Sequence, residues 1–149
     1  MSTGEFCTRE VVITEKDSSI LDVAQLMRTY HVGDVVVVEH RGEQAVPVGI
    51  ITDRDIVVEV IAQEVDLNAV TVGDVMSYDL LSVREDEGIW EVLLQMCDRG
   101  VRRIPVVNEA GGLEGILALD DMIELLAEEL TLLARIAGSG PDRERKKLE

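Results

Sequence analysis

Thr52 and Asp55 follow the apolar run Gly49-Ile50-Ile51 and open a helical segment, so both side chains project from one face of its first turn. Backbone N–H groups at a helix start lack intrahelical partners and carry partial positive charge, which suits a phosphate, and the threonine hydroxyl adds a donor. An ionised aspartate only accepts hydrogen bonds, so it repels phosphate and matches a vicinal diol that donates two. Together the pair describes a ribose 5′-phosphate. The plainer reading of the same residues is structural: Thr52 is an N-cap, and Asp55 is a favourable charge against the helix dipole worth roughly 0.3 to 1 kcal/mol.

A second copy of the segment, Gly115-Ile116-Leu117-Ala118-Leu119-Asp120-Asp121, again places an aspartate six residues after a glycine. Its recurrence favours ligand binding, because a cap needs only a local polar residue whereas the fixed glycine also points to close backbone approach. The repeat is larger than these residues. Val12 to Val38 superimposes on Leu81 to Val107 at an offset of 69, aligning Ile20 with Ile89, Val23 with Val92, Met27 with Met96 and Val37 with Val106. Beyond that the offset is 66, Gly49 on Gly115 and Asp55 on Asp121, so the first copy is three residues longer between its second and third strands. A turn absorbs such a difference without disturbing the core.

Each copy reads as strand, helix, strand, strand, helix. Val11 to Ile13 begins the first, and Ser18 and Ser19 cap a helix whose Ile20, Val23, Ala24, Met27 and Tyr30 share one face. Val35 to Val38 is a continuous β-branched run, as expected for a strand buried on both sides. A third strand spans Val46 to Thr52 and a helix Arg54 to Ile61. Thr71 to Met76 is expected as a connecting helical turn. The second copy places strands at Leu80 to Val83, Arg103 to Val107 and Leu113 to Ala118, with helices at Glu87 to Cys97 and Asp120 to Ala137, the last ended by Gly138. The expected division is 1–69 for an N-terminal arm and first domain, 70–137 for connector and second domain, and 138–149 for a disordered charged tail. Leu126, Leu130, Leu133 and Ala137 form a stripe on the closing helix, suited either to the chain's own core or to a copy of itself in a homodimer.

The 149 residues carry 30 acidic and 14 basic side chains, a formal charge of −16, while 46% are apolar. Such a balance supplies a core and argues against nucleic acid as partner, since phosphate-backbone binding draws on clustered Lys and Arg. Four basic residues lie in the tail from Arg143 to Lys147, and the body's one cluster is Arg99, Arg102 and Arg103. No apolar run approaches a membrane span and Met1 to Glu10 has no signal-peptide character, so a cytoplasmic protein is expected. Cys7, Cys97, His31 and His40 have no spacing that predicts a shared metal ion, and no metal site is expected. Trp90 aligns with Leu21 and is read as core or interface, the acidic stretches Glu85–Glu87 and Glu124–Glu129 as solvated faces. No nucleophile–base order, Walker loop or paired-carboxylate cleft is present, which argues against an enzyme.

The ordered repeat, with Gly49-Ile50-Ile51-Thr52-Asp53-Arg54-Asp55 and Gly100-Val101-Arg102-Arg103-Ile104-Pro105-Val106-Val107, resembles a tandem pair of CBS domains from about Glu10 to Leu130. The resemblance implies an α/β fold of two intertwined β-α-β-β-α units, related by a pseudo-two-fold, with clefts that in relatives bind AMP, ADP, ATP, NAD or S-adenosylmethionine. It also implies a regulatory or sensor role, frequent homodimerisation, and an unidentified downstream protein. Carried over by position, the ribose-binding aspartates are Asp55 and Asp121 and the phosphate-facing hydroxyl is Thr52. Ile50 and Ile116 would line the base, with Val12 and Asp34 near it, and Arg103 would meet phosphate with Arg102 and Arg54 in reach. Ala118 replaces the expected hydroxyl in the second copy, which points to the Thr52/Asp55 cleft as the principal site. A scaffold with degenerate clefts is the alternative, and no cofactor is required on either reading.

Overall fold

Four consecutive valines organise the structure. The computed structural model describes residues 1–148 and the side chains of residues 1–139. Asp34–Arg41 (β2) is the central strand of a three-stranded sheet, with Ile13–Thr14 (β1) parallel on one side and Gln44–Thr52 (β3) antiparallel on the other. Alternate side chains of a strand face opposite ways. Val35 and Val37 accordingly join a cluster with Ile20, Val23 and Met27 of the helix Ile20–Tyr30 (α2), while Val36 and Val38 join another with Ile116. All four are buried, as the run of β-branched residues predicted.

Before β1 lies a short helix, Thr3–Phe6 (α1), that the apolar periodicity did not reveal, and after β3 come Asp53–Asp55 (α3) and a π-helical stretch, Ile56–Ile61. A turn, Val72–Val75 (α4), leads to the second copy: Val83–Arg84 (β4), Ile89–Arg99 (α5), Arg103–Val107 (β5) and Leu113–Ala118 (β6). The offset of 69 holds in space, because Thr14 pairs with Val37 and its counterpart Val83 with Val106. One of the three extra residues of the first copy is Val48, bulged out where the register slips between Val37–Gly49 and Val38–Pro47. Expected strands at Val11 and Leu80 begin later, at Ile13 and Val83, and the helix expected from Arg54 to Ile61 is mostly π rather than α.

Met1–Leu117 and Ala118–Glu149 are two compact units. Within the first, the copies exchange edges. Thr8 bonds Ile116 of β6 in both directions at 2.9 Å, and Ser77 bonds Ile50 of β3 at 2.9 and 3.2 Å. The anchors match as well: Gly4 N–H donates to Glu85 O and Gly73 N–H to Lys16 O, and the offset of 69 carries Gly4 onto Gly73 and Lys16 onto Glu85. Thr71–Met76 is therefore more than a connector; it is the second copy's version of α1. The second unit is the helix Leu119–Leu148 (α6). Gly138 lies within it without a left-handed φ, so the expected stop there is corrected: a glycine ends a helix only when the chain takes the αL turn. The disorder expected over 138–149 falls largely on side chains outside the described residues.

The edge exchange fixes two glycines. A Cβ on Gly49 would stand 2.8 Å from Ser77 O and 2.7 Å from the Met76 sulfur, and one on Gly115 would stand 2.8 Å from Thr8 O and 2.6 Å from the Cys7 sulfur. Gly49→Ala and Gly115→Ala should each lower the melting temperature by roughly 3 to 10 °C, since backbone cannot retreat from an added methyl. Gly138→Ala, which meets nothing within 4 Å, should leave the melt unchanged or raise it, by up to about 1 kcal/mol in stability. Circular dichroism melts of the three variants check this, and a loss at Gly138 would contradict the continuous helix.

Candidate functional site

Thr52 ends β3 directly opposite Asp34, the first residue of β2. The chain turns there into α3, and Thr52 and Asp55 close a reciprocal cap: Asp55 N–H donates to Thr52 Oγ1 at 3.1 Å and Thr52 N–H donates to Asp55 Oδ2 at 2.9 Å. The other first-turn donors are engaged too, with Asp53 N–H on Gly33 O at 2.9 Å and Arg54 N–H on its neighbour's Asp53 Oδ1 at 2.8 Å. The local function of the pair is thus the cap. Its free chemistry is the rotatable hydroxyl proton of Thr52 and the second carboxylate oxygen of Asp55.

Asp34 and Arg103 occupy the same position in the two copies, and they bond each other, Arg103 Nε to Asp34 Oδ2 at 2.9 Å, across the junction of the repeats. Asp34 is largely enclosed, its side chain 17% exposed. Burial pushes its carboxyl above the ordinary 3.8, Arg103 pulls it back, and Asp53 pushes it up again. The pair borders a small void of about 40 Å³ together with Val12, Val32, Val36, Ile116 and the segment Glu10–Val11. Glu10 to Val12 and Val32 also line a larger cleft of about 740 Å³, completed by Arg9, Ile13, Leu26 and Tyr30.

Of the residues expected to bind a ligand, the structure gathers Val12, Asp34, Arg103 and Ile116 around that void, and Thr52 joins them through Asp34. Ile50 packs on the Val36, Val38 and Ile116 cluster while its backbone pairs with Ser77. Asp55 instead lines a separate cavity of about 330 Å³ with Glu59, Asp74 and Ser77. Arg54 and Arg102 are exposed. Asp121 stands in the first turn of α6, in the second unit. Tyr30, Leu26 and Arg9 had no motif to mark them; only their places at a helix end and before a strand bring them to the cleft. Among the described residues no cluster of three or more His, Cys, Asp or Glu could hold a metal ion. His40 pairs with Glu15, burial raises the Cys7 thiol, and Cys97 is exposed. Trp90 is 54% exposed on α5, so it is no part of the core, though an interface role is untouched. No helix among the described residues is long and apolar enough to cross a membrane.

The CBS domain family matches residues 4–62 and 72–128, the first match taking in α1. Over 125 residues the chain is 34% identical to the uncharacterized protein MK0525 of Methanopyrus kandleri, covering 84% of this chain and 62% of that one. The CBS domain pair of protein MJ0100, solved with 5′-methylthioadenosine and S-adenosyl-L-methionine, superimposes with a TM-score of 0.73 at 22% identity over 87% of this chain and 98% of its own. The cytosolic domain of the Mg2+ channel MgtE, solved with ATP, superimposes with a TM-score of 0.70 at 26% identity, over 83% of this chain and 48% of its own.

Since burial outweighs Arg103 at Asp34, its carboxyl should titrate above 3.8, and Arg103→Gln should move the midpoint higher still by removing the one opposing influence. Carboxyl-detected NMR titration measures both. A wild-type midpoint at or below 3.8, or a fall in the variant, would contradict the balance described.

Proposed function

The chain belongs to the CBS-domain family, and from that premise we propose that it is a regulatory module that binds an adenosine-containing ligand between its two CBS domains and signals by a change of shape or partner. The observation that carries the reading is the cleft region at the junction of the repeats. It combines an apolar wall for a base, at Val12, Val32 and Ile116, with polar groups at its edge, at Asp34, Arg103 and Thr52. Asp55, on the same turn as Thr52 though lining a separate cavity, retains an oxygen able to accept a ribose hydroxyl. ATP in the MgtE domain and 5′-methylthioadenosine with S-adenosylmethionine in the MJ0100 pair support an adenosyl ligand for this fold. The candidates are AMP, ADP, ATP, NAD and S-adenosylmethionine. A ligand touching both repeats favours one packing of them over another, and by linkage that packing alters affinity for a partner.

The alternative is a scaffold whose clefts bind nothing, favoured by the closed cap at Thr52 and Asp55. Thermal-shift measurements with adenosine and the five candidates separate the two. At a hundredfold excess over Kd, one site adds about 2.7 kcal/mol, roughly 5 to 10 °C for this size. At least one ligand should produce such a rise. Asp55→Ala should remove most of it, each rise being read from that variant's own baseline, which loss of the cap lowers by about 0.5 to 2 kcal/mol. No rise with any of the six compounds would establish the scaffold.

We also propose that two copies associate through α6. Its Ile123, Leu126, Leu130 and Leu133 follow a three-and-four spacing and are 40% to 66% exposed, an arrangement suited to a helix pair. Light scattering at micromolar concentration should give a dimer, and Leu130→Glu with Leu133→Glu a monomer. A monomeric wild type overturns this.

A further inference from the structure

Deepening the adenosine reading, on which it rests, we infer that the cleft selects its ligand by charge, with Asp34 setting the preference. Adenosine ligands whose 5′ substituent is neutral or cationic bind ahead of those carrying phosphate. Three independent features of the same few residues lead there.

The donors that would hold a phosphate are already engaged by the chain itself. At the first turn after β3 the N–H groups of Thr52 and Arg54 lie on carboxylate oxygens of Asp55 and Asp53, at 2.9 and 2.8 Å, and those of Asp53 and Asp55 lie on Gly33 O and Thr52 Oγ1. A phosphate entering this turn meets carboxylates where a phosphate seat presents bare N–H groups. The one cation lining the void, Arg103, is bound at 2.9 Å to Asp34, which cancels its charge locally although other guanidinium N–H groups remain. The remaining charges lining the void or acting on it are acidic: Asp34 opposite Thr52, Asp53 close enough to act on Asp34, and Glu10, while Arg9 in the adjoining cleft is paired with Glu85 and Glu114. Arg54 and Arg102 are exposed and line neither the void nor the larger cleft, and salt screens exposed charges.

A phosphate at Thr52 must approach Asp34, whose Cα is the direct cross-strand partner. Drawing Arg103 away to meet the phosphate would strand the Asp34 carboxylate in surroundings that already disfavour its charge. Leaving Arg103 in place sets phosphate and carboxylate against each other, which at a partly buried separation of about 7 Å weakens binding roughly tenfold or more. A 5′-hydroxyl, thioether or amine meets neither cost, and a cationic group gains from the same carboxylates. In the second copy the corresponding position is Arg103 itself, so at the void the two copies present opposite charges from equivalent positions.

Isothermal titration of the full chain with adenosine, AMP and 5′-amino-5′-deoxyadenosine tests the inference. Adenosine and the amine should bind at least about tenfold more tightly than AMP, and Asp34→Asn should narrow the adenosine-to-AMP ratio by about tenfold. The wild type supplies a test independent of any variant: raising salt should strengthen AMP relative to adenosine by screening a repulsion, whereas it would weaken AMP if an attraction held it. AMP binding as tightly as adenosine, or a ratio that moves the other way with salt, overturns charge selection while leaving the adenosine reading in place. Binding of none of the three removes both.

Discussion

Two reciprocal backbone crossings complete the sheets of the first unit, and much of its arrangement follows from them. The segment ending at Thr8 lies on β6 and its counterpart ending at Ser77 lies on β3, so each sheet is completed by chain that precedes the other copy's first strand. Neither copy can finish its own sheet edge. Each crossing demands a strand residue with no side chain on the side the crossing segment covers, and Gly49 and Gly115 are those residues. Exchange also draws the two third strands toward each other, which is why Ile50, Ile116, Val36 and Val38 meet in one cluster. The cleft region is a consequence of that meeting.

Near-symmetry has an electrostatic limit. Residues at equivalent positions close to a two-fold axis face each other, so identical charges there would repel across a short distance. Asp34 and Arg103 are equivalent by the offset of 69 and form an ion pair only because the copies differ at that position. Apolar positions around them face no such restriction, and Val37 with Val106, Ile20 with Ile89 and Met27 with Met96 stay the same in both. A left-handed turn shows the same logic in the backbone. Gly100 ends α5 with φ 64°, and His31, its equivalent after α2, takes φ 53° with a side chain attached.

The elements were legible in the sequence wherever a single period governed them. The β-branched run at Val35 to Val38, the helical faces of α2 and α5 and the offset between copies all follow from side-chain spacing, and the structure has them. What spacing could not express was contact between segments far apart in the chain. Gly49 marked a close approach of backbone, correctly, but the approaching group is Ser77 rather than a ligand. Thr3 to Phe6 has no amphipathic signature because its anchors are backbone bonds to Glu85 and Glu87. Gly138 carries the residue type of a helix end without the αL geometry that makes one, and propensity alone does not distinguish the two. At the site, Thr52 and Asp55 were singled out for projecting together. In the structure they bond each other's backbone, so a ligand contact at this turn would draw on the atoms of the cap.

That shared use bears on how occupancy of the cleft could be felt elsewhere. Asp34 links three elements at once: it begins β2, stands across from the cap residue Thr52, and holds Arg103 at the start of β5. A ligand that alters the Asp34–Arg103 bond changes an ion pair joining these two strands, and therefore the relative stability of alternative packings of the two repeats. Coupling of this kind needs no long pathway, because the pair lies on the junction itself. It needs only that the bond differ between the free and occupied states, which follows when a cationic ligand group and Arg103 compete for one carboxylate.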